Sequence, residues 1–322
     1  MLELAIALNR RIDLRFMMGL AGGLAAFQLL CAWLFRRQIA RELGEPPPSA
    51  LPPTAVVVPC KGASEALARN AGSLLDQDFP GRLEHVFVVP CLDDPAFPVL
   101  ERAVAARSRR ARLLVSDAVP TRCSEKNLNI LCGLRAVDPA AEVLLFADAD
   151  ILVGRDWAAR LVGALQEPGV GAATTATFCV PTRVSPWPLL RLVWVAAGLP
   201  FFRLVPRAVG QSMAMRRADF ERLGVAGRWA RCVSEDAAVD HAVKSSGLRV
   251  RYVPGASPVS PEECGPAACL RVLNNWFVYA RIYDRAAWAL LASAILGKTW
   301  LLFWALRRPG PRAGLLAVEL GG

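Results

Sequence analysis

Asp148 and Asp150 stand one residue apart at the end of an apolar run, EVLLFADAD (142–150). Side-chain direction in a strand repeats every two residues, so this run delivers both carboxylates to the same side of a C-terminal strand edge. Two hard oxygen donors at such an edge suit a divalent cation, Mg or Mn, and such a cation suits a phosphate-bearing ligand. Taken alone, the D-x-D spacing is equally an acidic turn after a strand, so its surroundings decide between the two.

The elements that must position those carboxylates are legible as a strand and helix alternation. TAVVVP, EHVFVVP, RLLVSD and EVLLFADAD read as short buried strands, separated by helical stretches near 64–76, 96–108 and 124–137. Such alternation predicts an α/β fold with a mostly parallel sheet and right-handed crossovers, and ligands at the strand C-terminal edge. That edge collects Pro59-Cys60-Lys61-Gly62, Asp93-Asp94, Ser116-Asp117 and Asp148-Ala149-Asp150 from distant parts of the chain. No GxGxxG or Walker A sequence follows the first strand, which argues against a dinucleotide oxidoreductase or a P-loop enzyme.

The 322 residues, 54% of them hydrophobic, suffice for one large domain with appendages. The formal charge of +10 comes from 38 scattered Lys and Arg, with no lysine-rich tract or aromatic-interleaved basic motif, so nucleic acid is excluded as a partner in favour of anionic phosphates, a membrane surface or a solvated basic surface. Nine cysteines without a CxxC pair read as reduced thiols, and two histidines make a His-rich metal site improbable. At the N-terminus, Phe16–Phe35 has the length of roughly 20 residues that a transmembrane helix needs, closed by Trp33, Arg36, Arg37 and Arg41. Arg10, Arg11 and Arg15 flank its other end and leave the orientation open. Near the C-terminus, LRVLNNWFVYARIYDRAAW reads as interfacial. The following AAWALLASAILGKTWLLFWAL is long enough to span, although Lys298 costs about 2.5–3.5 kcal/mol near a helix centre. The expected organisation is an anchor at 1–44, a Pro-rich linker at 45–53, a catalytic domain at 54–262, an interfacial segment at 263–285 and a membrane segment at 286–322.

In order along the chain, VVVPCKG (56–62), VVPCLDDPAF (88–97), SEKNLN (124–129), FADAD (146–150), GQSMAMRR (210–217), SEDAAVDHAV (234–243) and the aromatic segment ending ARIY (280–283) resemble the landmarks of the family 2 glycosyltransferases, within them the membrane-bound ceramide glucosyltransferase-like branch. The resemblance implies a GT-A-like nucleotide-sugar-binding domain with N- and C-terminal membrane helices. It implies Pro59, Lys61, Gly62, Asp93, Asp94, Lys126, Asn129 and Asp148 at the donor, with Lys126 and Asn129 opening a helix whose N–H groups hold pyrophosphate. Asp148 and Asp150 correspond to the metal-binding pair. Asp236 corresponds to the general base, with Ser234 as N-cap and a helix N-terminus favouring the ionised carboxylate. Gly210, Ser212, Glu235, Asn275, Trp276 and Arg281 fall on the acceptor or membrane side.

Each of these positions also has an ordinary structural reading: an Asp-rich turn before Pro95, an exposed lysine, a capping sequence at 234–236, and an interfacial Trp276. One departure stands out. Many relatives carry Q/R-x-x-R-W, but Asn275 stands before Trp276 here, and asparagine cannot neutralise a phosphate. The implied activity is an inverting, metal-dependent transfer from a UDP-linked sugar to a membrane lipid hydroxyl, at the cytoplasmic face of the inner (plasma) membrane. A processive polysaccharide synthase and a catalytically silent nucleotide-binding membrane scaffold are the competing readings.

Overall fold

The computed structural model describes residues 14–107, 110–199 and 205–307. The chain forms two compact units, one of Arg37–Pro266 and one of the segments up to Arg36 and from Ala267.

In the larger unit the expected strands form as β1 (Thr54–Pro59), β2 (Leu83–Val89), β3 (Ala111–Val115) and β4 (Val143–Ala147), followed by β5 (Val170–Thr174), β6 (Phe178–Pro181), β7 (Ser212–Arg216), β8 (Arg249–Tyr252) and β9 (Val259–Glu262). Seven of them make one sheet in the order β3-β2-β1-β4-β7-β5-β8, and β6 pairs with β9 apart from it. Every neighbouring pair in the large sheet is parallel except those of β7, which runs antiparallel to both β4 and β5. The run VVV in β1 is buried throughout because both faces of the sheet are covered.

On one face Val56, Val58, Phe87 and Leu145 pack against Leu74 of α2 (Leu67–Leu75), Leu100 of α3 (Ala96–Arg107) and Trp157 of α5 (Trp157–Ala164). On the other, Val57, Val88 and Phe146 meet Ile130 of α4 (Glu125–Ala136), Trp229 of α8 (Val225–Trp229) and Val239 of α9 (Glu235–Ser245). Helix α4 sits directly on the sheet: a Cβ at Gly133 would lie 2.8 Å from Val57 Cγ1 and 2.9 Å from Val88 Cγ2. Helix α6 (Pro186–Gly198) lies between β6 and β7, and α7 (Arg217–Arg222) follows β7.

The chain winds outward from β1 to β2 and β3, then crosses back to β4 on the other side of β1. That reversal opens a crevice at the C-terminal ends of β1 and β4, the place where open α/β sheets take ligands.

The Pro-rich stretch 45–53 is built into this unit. Leu51 is buried and its N–H donates to Pro80 O at 3.0 Å, while Pro53 O accepts the Glu142 N–H at 2.8 Å. Helix α1 (Leu14–Gly44) ends on the same unit, where Glu42 Oε2 accepts the Gly255 N–H at 2.8 Å and Glu42 Oε1 lies 3.3 Å from Arg251.

The expectation of membrane-crossing helices is corrected. Among the described residues no helix is long and apolar enough to cross a membrane. Helix α1 leaves its apolar run and continues through Arg36, Arg37, Arg41 and Glu42. In the smaller unit α10 (Pro266–Tyr283) carries Arg271, Asn274, Asn275 and Arg281, and α11 (Arg285–Arg307) runs unbroken through Gly297-Lys298, with a lysine inside its apolar run. Arg10, Arg11, residues 308–322, the Lys298 side chain and several side chains of the expected anchor lie outside the described residues.

Three aromatic rings join the β4 strand to the helices beside it. Phe146 meets Trp229 edge-on at 4.8 Å, and Phe220 closes the cluster at 5.2 Å from Trp229. Trp229→Ala is expected to destabilise the chain by about 3–5 kcal/mol, the usual cost of deleting a buried tryptophan. Chemical denaturation of the full chain measures this, and an unchanged midpoint would show that the cluster supports nothing.

Candidate functional site

The crevice between β1 and β4 holds a cavity of about 300 Å³ whose lining includes Pro59, Lys61, Lys126, Asn129, Asp148 and Asp150. Its centre is Lys126. The ammonium stands 2.6 Å from Asp148 Oδ1 and 2.5 Å from Glu235 Oε1, so β4, α4 and α9 converge on one cation.

Each element is fixed locally. Helix α4 starts where Ser124 Oγ accepts the Asn127 N–H at 3.1 Å, which places Lys126 in its first turn. Asn127 Nδ2 then donates to Cys232 O at 2.9 Å and ties that turn to the chain entering α9. Asp148 follows the buried β4 strand, and its N–H donates to Gln211 O at 3.2 Å. Glu235 opens α9 with its carbonyl bonded by Trp229 Nε1 at 2.9 Å. Its carboxylate has room only because residue 210 is glycine, as a Cβ there would lie 2.1 Å from Glu235 Oε1.

Electrostatics follow from this crowding. Burial lowers the affinity of Lys126 for its proton, but Asp148 and Glu235 together outweigh it and raise its pKa. Asp148 titrates above the usual carboxylate range, through burial first and with the Asp150 charge adding to it, although Lys126 works against both. Asp236, at the N-terminus of α9, is also raised, by burial and then by the adjacent Glu235. This corrects the expectation that Asp236 is readily ionised: burial and a like charge exceed the bonds from Ser234 and Ala237 and the attraction of Lys126. Ser234 stands at the N-cap, but its hydroxyl bonds Asp236 Oδ1 instead of the helix backbone. Asp236 also accepts the Ala237 N–H at 2.7 Å and the Gly210 N–H at 3.4 Å.

The remaining positions divide. Lys61 pairs with Glu125 at 2.6 Å on the rim. Asp94 is buried, and its Oδ1 accepts the N–H groups of Gly62 and Ala96, each at 2.8 Å, so it fastens the turn after β1 to the start of α3. Gly62 takes φ +70°, a conformation that favours glycine in this turn. Asp93 is exposed. Asn129 is buried, with Oδ1 accepting the Ser116 hydroxyl at 2.7 Å. Ser212 is buried on β7 and accepts from Trp157 Nε1 at 3.2 Å.

Asn275, Trp276 and Arg281 lie on α10 in the smaller unit, where Arg281 stacks over the Trp288 ring at 5.7 Å. Sequence reasoning missed Trp229, the function of Gly210 as space for Glu235, and Asp240. Asp240 holds Arg207 and Lys244 at 2.8 Å each and so fastens the chain leading into Gly210. Its spacing of four residues from Asp236 and from Lys244 on one helix was the available signal.

Among the described residues no cluster of three or more His, Cys, Asp or Glu forms that could hold a metal ion. The Asp148–Asp150 pair still fits a Mg or Mn ion of the kind held by one or two carboxylates and completed by ligand phosphates. The like-charge penalty that Asp150 imposes on Asp148 is the feature a cation would relieve.

A raised carboxylate pKa means that the folded state is penalised once the group ionises, so this part of the stability is present below the unfolded pKa and lost as pH rises through the folded one. Asp236→Asn, which keeps an oxygen for Ala237, is therefore expected to be more stable than wild type at neutral pH. The gain should vanish below about pH 4, near the ordinary Asp value. Thermal melts across pH measure this, and a variant less stable at pH 7 would contradict the sign. Gly210→Ala is expected to displace Glu235 and loosen the hold on Lys126, read as a lower melting temperature.

A comparison with curated proteins finds no match. Among solved structures the chain is similar to a mannosyltransferase from Pyrobaculum calidifontis in complex with GDP-Man and Mn2+, at 20% identity over 95% of this chain and 91% of that one, with a TM-score of 0.48. It is also similar to glucosyl-3-phosphoglycerate synthase from Mycobacterium tuberculosis in complex with Mn2+, UDP and phosphoglyceric acid, at 13% identity over 68% and 74% of the two chains, with a TM-score of 0.44. The sequence model of glycosyl transferase family 21 matches residues 16–282, whereas the motif reading named family 2. With most of its length in that match, the chain belongs to glycosyl transferase family 21 and is a glycosyltransferase.

Proposed function

We propose that this glycosyltransferase, in a GT-A-like domain, moves a sugar from a UDP-linked donor to a hydroxyl of a membrane lipid, ceramide or a similar amphiphile, with inversion at the anomeric carbon. The observation that carries the reading is the convergence of Asp148, Lys126, Glu235 and Asp236 beside the β1–β4 crevice, in a chain of this family.

The donor diphosphate lies in the crevice, near the Lys126 ammonium and the N-terminal turn of α4, both suited to phosphate. Asp148 and Asp150 would hold a Mg or Mn ion, which when bound would supply charge neutralisation for the departing nucleotide. Asp236 accepts the proton of the incoming hydroxyl. The acceptor oxygen bonds to the anomeric carbon, the carbon–oxygen bond to the phosphate breaks, and that electron pair leaves with the nucleoside diphosphate. The raised proton affinity of Asp236 suits a base working near neutral pH. A lipid acceptor also suits the apolar runs near both chain ends, and on this reading the larger unit works at the cytoplasmic face of the plasma membrane, where nucleotide sugars are found.

The test is an assay of the full chain with labelled UDP-sugars, manganese and a lipid extract. Asp236→Asn is expected to keep UDP binding and lose roughly 10²–10⁴-fold in transfer, the usual contribution of a positioned base. Asp150→Ala is expected to weaken metal-dependent UDP binding. Full activity of Asp236→Asn would refute the base assignment. UDP binding with neither lipid product nor donor hydrolysis would favour a silent scaffold, and a long polar polymer would favour a polysaccharide synthase.

A further inference from the structure

Strand β4 ends at Ala147, so the alternation of side chains along a strand no longer governs Asp148 and Asp150. Asp148 lies just past the strand, Ala149 and Asp150 form a turn, and all three line the cavity. The placement of one carboxylate relative to the other is therefore set by whatever holds that turn. Backbone groups hold it on one side: the Asp148 N–H donates to Gln211 O at 3.2 Å, and Leu152 exchanges hydrogen bonds with Val259 of β9 at 2.7 and 2.9 Å. Side chains hold it on the other, from α2 and the residues just after it. Asn70 Nδ2 donates to Ala149 O at 3.3 Å, and Ser73 Oγ accepts the Val153 N–H at 3.2 Å. Gln77 donates to Gly154 O at 2.9 Å and accepts the Ala158 N–H at 3.0 Å, and Asp78 pairs with Arg155 through both carboxylate oxygens at 2.7 Å.

Asn70 is the member of this row that reaches the acidic pair itself, because Ala149 is the residue between the two aspartates. The peptide unit is planar, so the direction of the Ala149 carbonyl fixes the plane that leads into Asp150 and with it the direction in which Asp150 leaves the backbone. The amide is poorly accommodated otherwise. Asn70 is 1% exposed on a helix whose Leu67, Ala71 and Leu74 are buried as well, and among the described residues its Oδ1 takes no hydrogen bond. A buried amide satisfied at one end only costs stability that an apolar side chain of similar shape would not, and asparagine is a poorer helix former than leucine. Fold stability does not account for an amide at this position, whereas the bond to Ala149 does.

We propose that Asn70 is a positioning residue for the acidic pair: its amide holds the Ala149 carbonyl and so sets Asp150 relative to Asp148 for a divalent cation shared with a nucleoside diphosphate. The inference rests on the reading above that this pair would take Mg or Mn together with the donor. Asn70 touches neither ligand and acts through the backbone alone, which separates it from Lys126 and the carboxylates that line the cavity.

Manganese binding by the full chain tests the proposal, read from the electron paramagnetic resonance of free Mn2+ in the presence of UDP. Asn70→Leu is expected to weaken Mn2+ binding about 10- to 100-fold, the usual loss when a group that orients metal ligands is removed, with little change in melting temperature. In an Asp150→Ala background the same substitution is expected to have no further effect, because Asn70 acts through Asp150. Asn70→Ala, which leaves a gap where leucine fills the space, is expected to weaken Mn2+ binding to the same extent at a lower melting temperature, and it decides the question if leucine fails to pack. Wild-type Mn2+ affinity in the folded variants would overturn the proposal, whatever their melting temperatures, as would a loss that persists undiminished in the Asp150→Ala background. A wild-type chain that binds no Mn2+ with UDP would instead sink the reading of Asp148 and Asp150 as a metal site, and this inference with it.

Discussion

The ammonium of Lys126 is the interaction on which the site depends. A single cation compensates Asp148 from the end of β4 and Glu235 from the start of α9, two carboxylates brought together by elements far apart in sequence. Without it two partly buried negative charges would face each other, and Asp236 and Asp150 would add to the repulsion. Much of the surrounding structure serves to place this one group: the Ser124 cap that starts α4, the Asn127 bonds to the chain before α9, and Gly210, where no side chain fits beside Glu235.

Compensation here is incomplete, and that matters for chemistry. Burial raises the proton affinity of both Asp148 and Asp236, and the nearby Lys126 charge does not cancel it. Sites tuned for proton transfer or for an ionic ligand are often left with such residual strain, because a ligand or substrate is what relieves it. The aromatic cluster of Phe146, Phe220 and Trp229 supplies the rigidity that holds carboxylates in unfavourable company. It fixes the end of β4 against the helices on one face of the sheet.

The fold was readable to a large extent because parallel strands buried on both faces leave an unbroken apolar signature. VVV, VFVV and VLLF form β1, β2 and β4 where the sequence pattern places them, and the helices at 67–75, 96–107 and 125–136 fall within the stretches expected for them. The apolar runs near the chain ends were less informative. Apolar content alone does not separate a spanning helix from one that ends among arginines, as α1 does, or that carries a lysine inside its run, as α11 does.

The sequence by itself determined the order of the elements, the acidic pair at 148 and 150, and the membership in a glycosyl transferase family, because these are properties of local pattern and motif order. The tertiary structure alone decided that Lys126 meets both Asp148 and Glu235, that Asp94 spends an oxygen on two backbone N–H groups, that Gly210 must lack a side chain, and that Asp236 holds its proton more tightly than an ordinary aspartate. The physical reason is distance. Hydrogen bonds, ion pairs and burial act over a few ångströms between residues up to 213 positions apart, and no local pattern carries that information.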